Sequence, residues 1–313
     1  MNNIDYVKQT CINAKSSSKE ISCLSESKKN LILKSLIDEI NLKRDDIKDA
    51  NSKDIESLKL TDNFNNAFVD RLLIDDARID SMISSIREII AFNDPVGEIT
   101  NIKEMSSGIK VGKMSMPLGV IAMIYESRPN VTIDASALCI KSGNSIILRG
   151  GSESINTNIV LSRCITMALS QNNTNQYVVQ LIDRTDRSIV NELLTQHNYI
   201  DIVIPRGGKS LIKLVDKLSS IPVLKHLDGI CHVFIDRHAD INKALKISVN
   251  SKTQRPGVCN AMETLIVDKN IAEEFLPLLE EQLKLHNVEI RGCSRTRNIL
   301  NEVLLAVSYT HLT

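Results

Sequence analysis

The chain has no excess of either charge: lysine plus arginine and aspartate plus glutamate each number 38. With no net field and no block of like charge, nucleic acid and anionic membrane surfaces are set aside as partners. Its seven cysteines form no C-x-x-C pair and no compact cluster. Neither a disulfide framework nor a bound metal is therefore expected, and the thiols read as reduced ones in a cytoplasmic protein. The start, Met1-Asn-Asn-Ile-Asp5, lacks both the basic region and the apolar core of an export signal. No later apolar run approaches the roughly 18 residues that a membrane span needs. Also missing is G-x-G-x-x-G, which by itself counts against an ordinary dinucleotide site.

At 313 residues the chain exceeds the size at which a single core stops growing, so two domains are expected, 1–225 and 226–306. Residues 5–92 are helical in pattern, with Leu31, Ile32, Leu36, Ile37 and Ile40, then Ile79, Met82, Ile83, Ile86 and Ile90, at three- and four-residue steps. These helices are expected to cover one flank of a sheet. After Pro95, two polar-apolar stretches flank Ser106-Ser-Gly108, a hairpin signal within residues 97–116. From Pro117 short apolar strands (119–125, 145–148, 178–182, 200–204) alternate with helices (131–139, 152–169, 186–194, 208–218). That alternation predicts a buried parallel sheet of the dinucleotide-binding type. A hinge through Val233-Phe-Ile-Asp236 leads to a second alternation: helix 241–250, strand 263–267, helix 272–285, strand 288–290 and helix 295–305. The tail, 307–313, has no period.

Ligands of open parallel sheets bind beyond the carboxyl ends of the strands. Three such ends carry suitable residues here: Tyr125-Glu-Ser-Arg-Pro-Asn130, Arg149-Gly-Gly151 and Arg206-Gly-Gly208. The last opens a helix whose N-terminus would receive a phosphate, although each Gly-Gly pair also reads as a tight turn. The stretch Ser251-Lys-Thr-Gln-Arg-Pro-Gly-Val-Cys-Asn-Ala-Met-Glu263 places Cys259 after a Pro-Gly break. If Asn260, Ala261 and Met262 begin a helical turn, free backbone N–H groups would favour the thiolate. The local residues alone leave this level with a small apolar side chain in a loop.

Lys252-Thr-Gln-Arg-Pro256 with Cys259-Asn260, together with Pro117-Leu-Gly-Val-Ile121, Glu126-Ser-Arg-Pro-Asn130 and Leu148-Arg-Gly-Gly151, resembles the gamma-glutamyl phosphate reductase (glutamate-5-semialdehyde dehydrogenase) family, a branch of the aldehyde dehydrogenase superfamily. The resemblance runs from near the start to about residue 290. It implies an α/β, aldehyde-dehydrogenase-like fold: a parallel-sheet, Rossmann-type cofactor domain, a second α/β catalytic domain, here incomplete, and a β-hairpin excursion for oligomerisation. The superfamily binds nicotinamide cofactors without the glycine fingerprint.

By the same resemblance Cys259 is the nucleophile, and Asn130, with the Cys259 backbone N–H, receives the oxyanion. Arg149 stands where the superfamily often has a lysine near the adenosine ribose, which suits the 2′-phosphate of NADPH/NADP. Gly150, Gly151, Arg206, Gly207 and Gly208 complete the expected cofactor contacts. Lys225-His-Leu-Asp-Gly229 puts His226 where hydrolysing members carry a basic glutamate, as suits a reductase that must spare its thioester. His226 and His232 are candidates for proton handling, or plain histidines. Arg128 and Arg255 would hold the substrate phosphate or α-carboxylate, or form ordinary ion pairs.

The implied reaction is reduction of L-glutamyl 5-phosphate to L-glutamate 5-semialdehyde in proline biosynthesis. Glutamate 5-kinase is an implied partner, and a homo-oligomer is implied for the complete chain. The alternatives are a hydrolysing aldehyde dehydrogenase, a cysteine hydrolase pairing Cys259 with His232, and a fragment that only associates with complete subunits. Family members continue for roughly another hundred residues, a domain-scale length. The expectation is therefore a truncated chain with a foreign tail at 307–313, poorly soluble or inactive as written.

Overall fold

The computed structural model of the chain describes residues 2–59, 66–225, 229–256, 258–300 and 303–306. His226 and the tail 307–313, both singled out in the sequence, lie outside the described residues. The chain divides into two units, Met1–His226 and Leu227–Thr313.

The first unit opens with five helices, α1 (Asn3–Ser22), α2 (Glu26–Leu42), α3 (Arg44–Lys59), α4 (Asn66–Leu72) and α5 (Asp76–Ala91). Asn2, Ser25 and Asp75 begin α1, α2 and α5, each accepting a backbone N–H three residues on, as short polar side chains do at helix starts. An antiparallel hairpin follows, β1 (Ile99–Glu104) and β2 (Lys110–Met114), and every residue of it is exposed. The sheet is then built from β3 (Val120–Tyr125), β4 (Ser145–Arg149), β5 (Val179–Leu181) and β6 (Ile202–Arg206), with α6 (Asn130–Lys141), α7 (Ile155–Gln171) and α8 (Ser188–Leu193) between them and α9 (Lys209–Leu218) after β6. The strands are parallel, in the order β5-β4-β3-β6. Strand order therefore reverses between β3 and β6, the place where such sheets open a crevice at their carboxyl ends.

The two-residue period of the strands sorts their side chains into two cores. Ile121, Tyr125, Ile146 and Leu148 face a layer formed by α2, α5, α6 and α7. Val120, Ala122, Ile124 and Ile147 face Val7, Cys11 and Ala14 of α1 together with α8 and Val215 of α9. The N-terminal helices thus divide between both faces, a correction to the expectation that they cover one flank. The pattern of α1 names a buried stripe but not the layer it meets. Gly119, in the Pro117-Leu-Gly-Val-Ile121 motif, has φ +115°, and a Cβ there would come within 2.2 Å of Asp201 Oδ2. The same Asp201 accepts the Val120 N–H at 2.8 Å and pairs with Lys15 at 2.9 Å. Only glycine lets β3 begin against that carboxylate.

Two lysines are buried among these layers. Lys29 of α2 pairs with Asp94 at 2.7 Å, and Lys141 of α6 reaches Glu26 at 3.0 Å, Asn30 at 2.9 Å and the Ile90 carbonyl at 3.2 Å. Buried ammonium groups persist only with such partners.

In the second unit β7 (Cys231–Ile235) and β8 (Met262–Val267) form a parallel pair with α10 (Ile241–Thr253) between them. Next come α11 (Ala272–Leu285), β9 (Arg291–Gly292), α12 (Ser294–Ile299) and β10 (Leu304–Leu305). Its core gathers Ile235, Phe275, Leu279, Leu283, Leu300 and Val303. The helix expected over 295–305 stops at Ile299, where Leu300 turns extended, and Leu304 instead pairs in parallel with Arg291. The strand expected at 288–290 accordingly forms at Arg291–Gly292 instead. Strand pairing overrides the short helical pattern.

Candidate active site

Register brings the expected residues of the first unit to one edge of its sheet. Ile124 stands opposite Arg149, and Tyr125 opposite Arg206, so the two arginines flank the end of β3. Beyond β3 the chain turns sharply. Ser127 has φ +44°, a left-handed conformation that typically costs a residue other than glycine about 1 kcal/mol or more. Glu153 holds it there, one carboxylate oxygen accepting both the Ser127 N–H and its hydroxyl at 2.7 Å. Beneath the turn runs a buried polar chain. The Tyr125 and Thr132 hydroxyls lie 2.7 Å apart, Thr132 donates to Asn158 at 2.9 Å, and Asn158 donates to Ser154 at 3.0 Å. Burial raises the Tyr125 pKa far above its ordinary value, so the phenol is a structural donor rather than a base. Gly150 lies over this chain, where a Cβ would come 2.3 Å from Asn158 Nδ2. It is a packing glycine.

Arg128, Asn130, Asp134 and Arg206 line one cavity of about 530 Å³, closed otherwise largely by apolar side chains such as Met123 and Ile204. Asn130 is the first residue of α6, and Pro129 before it is already helical (φ −58°, ψ −31°) with no side-chain cap. Asn130 therefore does not cap α6; its amide Nδ2 donates to Asp134 Oδ2 at 2.9 Å.

Arg149 turns its guanidinium onto the Gly150 and Thr185 carbonyls at 2.6 and 3.2 Å, leaving its buried Nε without a partner. Burial lowers its pKa from the ordinary value, with Glu153 opposing and Arg187 adding to the shift. Arg187, exposed just before α8, is a second cation of this corner that the sequence reading did not single out. At the other side of β3 the N–H of Gly208, which precedes α9, donates to Glu126 Oε2 at 2.9 Å. The helix start expected to receive a phosphate does draw an anion, but the anion is the chain's own carboxylate.

In the second unit Cys259 is free and exposed, in a turn between α10 and β8. The helical start expected at Asn260, Ala261 and Met262 is absent. Ala261 donates to the Val258 carbonyl at 3.2 Å, and Met262 is already in β8 opposite Cys231. The turn is therefore not backed by a helix N-terminus. It is held from β7, where the Cys231 thiol donates to the Cys259 carbonyl at 3.5 Å. Arg255 is exposed four residues before Cys259, and its carbonyl accepts from Val258 at 3.3 Å. His232 is exposed and donates from Nδ1 to the Ile230 carbonyl at 2.7 Å rather than to the Cys259 turn. Among the described residues no three histidines, cysteines or carboxylates gather as for a metal, and no helix is long and apolar enough to cross a membrane.

The chain belongs to the aldehyde dehydrogenase family, a class of oxidoreductases, which its residues 3–291 match. Within that class it falls among the gamma-glutamyl phosphate reductases. It is 38% identical to the enzyme of that name from Thermotoga maritima, with a TM-score of 0.88 over 96% of this chain and 72% of the other. The Saccharomyces cerevisiae gamma-glutamyl phosphate reductase is 32% identical, with a TM-score of 0.65 over 95% of this chain and 75% of that one. An engineered glycolyl-CoA reductase with bound NADP+ shares the fold at 17% identity, with a TM-score of 0.61 over 92% of this chain and 60% of the other.

Proposed function

We propose that this protein reduces L-glutamyl 5-phosphate to L-glutamate 5-semialdehyde and phosphate with NADPH, in proline biosynthesis, using Cys259 as nucleophile. The observation that carries the reading is the 38% identity to a gamma-glutamyl phosphate reductase across 96% of the chain. The exposed, unbonded thiol of Cys259 is in keeping with it. In the first step the Cys259 thiolate attacks the acyl carbon. The bond from that carbon to the phosphate oxygen then breaks, phosphate leaves with the electron pair, and a thioester remains on Cys259. Charge that builds on the carbonyl oxygen during attack is received by the Asn130 amide and the Cys259 backbone N–H, each such donor being worth roughly 3 kcal/mol.

A nicotinamide cofactor, when bound, supplies the hydride that takes the thioester to the aldehyde level. The fold class implies this cofactor, and the residues fit it at one corner. Arg149, with a buried, unpartnered Nε and Arg187 beside it, suits an anionic group such as a 2′-phosphate. Gly151 and the Arg206-Gly-Gly208 turn complete the proposed contacts, with Glu126 giving way at Gly208. Arg128, on the cavity wall with Asn130, and Arg255 are proposed for the substrate's phosphate or α-carboxylate. His226 in place of a basic glutamate would leave the thioester unhydrolysed. The exposed apolar residues Ile99, Ile102, Ile109 and Val111 of the hairpin support a homo-oligomer, since a two-stranded ribbon alone is marginal. A labile acyl phosphate also favours direct supply by glutamate 5-kinase, in the cytoplasm.

The test is the reverse reaction, run on the full-length protein with glutamate 5-semialdehyde and NADP. Reduced cofactor should appear only when inorganic phosphate is added; turnover without phosphate, yielding glutamate, would favour a hydrolysing aldehyde dehydrogenase instead. Arg149→Ala should weaken NADPH by about 10- to 100-fold, the worth of one charge-assisted contact, and change NADH little. Equal losses in a fluorescence titration of the two cofactors would remove Arg149 from the site.

A further inference from the structure

Asp134 lies one turn beyond Asn130 on α6 and lines the same cavity. One of its oxygens, Oδ2, accepts from the Asn130 amide at 2.9 Å, while the other, Oδ1, is buried with no hydrogen-bond partner. A half-buried carboxylate whose one fully buried oxygen has no partner costs stability. On its own face of α6 the residues one turn away, Val131 and Ala137, are buried and apolar, and most of the cavity wall is apolar too, so an apolar residue would suit the packing better. Such a group calls for an explanation outside stability.

The chemistry of the contact supplies one. A carboxylate only accepts, whereas a carboxamide has a donating end and an accepting end of nearly equal size. Asp134 can therefore bind only the NH2 end of Asn130. That holds the amide in one of its two flips, with one hydrogen on Asp134 and the second left over. Among the described residues no other group takes that second hydrogen. Burial raises the Asp134 pKa from its ordinary value and the hydrogen bond from Asn130 opposes that shift, while Arg128 and Arg206 line the same cavity.

We propose that Asp134 is a positioning residue: it fixes the Asn130 carboxamide so that its free amide hydrogen, rather than its oxygen, meets the charge developing on the substrate carbonyl. The proposal rests on the oxyanion role given to Asn130 above. An untethered asparagine would present either end, and the flipped form would set an oxygen against an oxyanion.

The test uses Asp134→Leu, Asp134→Asn and Asn130→Ala in the full-length protein, with phosphate-dependent oxidation of glutamate 5-semialdehyde and thermal unfolding as readouts. Asp134→Leu should lower kcat about 10- to 100-fold with KM changed less than about 2-fold and Tm equal or higher. Asp134→Asn, which keeps an acceptor oxygen but no longer enforces the flip, should recover part of kcat. In the Asn130→Ala background Asp134→Leu should cost nothing further, because the two residues act as one unit. Wild-type kcat in Asp134→Leu beside an inactive Asn130→Ala would overturn the positioning role alone. A full additional loss in the Asn130→Ala background, or a fall in Tm that accounts for the lost activity, would do the same. Full activity in Asn130→Ala would instead remove the oxyanion role, and the role of Asp134 with it.

Discussion

Cys259→Ser should abolish phosphate-dependent turnover, lowering kcat by at least about 1,000-fold, or ~4 kcal/mol in the barrier. A hydroxyl needs a dedicated base to act as a nucleophile, whereas a thiol, with an ordinary pKa of about 8.5, already supplies a small fraction of thiolate at neutral pH. Neither His232, turned onto the Ile230 carbonyl, nor a helix N-terminus stands by as that base or as an aid. The turn from Val258 to Ala261 is exposed at Cys259 and held through backbone atoms, so the exchange of sulfur for oxygen should leave Tm within about 1–2 °C of the wild type, as surface substitutions do. NADPH affinity measured by titration should not change. Retention of more than a tenth of the wild-type kcat would show that another group carries the chemistry.

Asp94→Ala should produce the largest loss of stability. It would strand the Lys29 ammonium, whose side chain is 0% exposed. Removing one partner of a buried pair costs about 3–5 kcal/mol. For a unit of this size that is a fall in Tm of roughly 6–20 °C. Burial pushes the Asp94 carboxyl pKa up, but the hydrogen bonds from Lys29 and the Val96 N–H outweigh it, and the net shift is downward. A depressed pKa in the folded state means the pair's stabilisation is fully present above the unfolded value of about 3.9 and is lost as pH falls through the lower, folded one. Calorimetry should therefore find the wild type and Asp94→Ala separated by a constant gap from pH 5 to 8, closing only in strong acid. Adding Lys29→Met to Asp94→Ala should restore most of the stability, since it removes the stranded charge. A double variant no more stable than Asp94→Ala would show that the damage lies elsewhere.

Much of the fold could be read directly because its signals are local. Continuous apolar runs such as Val120–Tyr125, alternating with amphipathic helices, give a parallel sheet wherever they occur, and the motifs at their ends gave the family. What stayed hidden depends on which surfaces meet. The stripe of Val7, Cys11 and Ala14 on α1 is as good a pattern for one face of the sheet as for the other. The C-terminal helix pattern gave way at Leu300 to a strand partner that lies well upstream. At the site, the arginines and Asn130 could be named from their positions after strands. Glu153 looks from sequence like an ordinary acidic residue near a helix start, and its grip on Ser127 exists only because the loops after β3 and β4 lie side by side. Asp134 offered one usable sign: a carboxylate four residues after an asparagine, on an otherwise apolar helix. At Cys259 the helical start expected from Asn260, Ala261 and Met262 rests on the good local propensity of the last two, and it yields to the strand that Met262 joins.

The carboxylate of Glu126 at the start of α9 makes binding there a trade. On the role proposed for this turn, a phosphate arriving at the Gly208 N–H would not fill an empty cradle; it would displace the Glu126 carboxylate already seated there. The affinity there would then be a difference between two anions' preferences for one helix end, weaker than the cradle alone would give. In return the helix end is never left bare, and the loops after β3 and β6 stay joined at the very point where the sheet reverses its strand order. With one anion leaving as another enters, the charge beside that helix end would change less than in a simple capture. Its binding should accordingly respond less steeply to salt than that of the Arg149 corner.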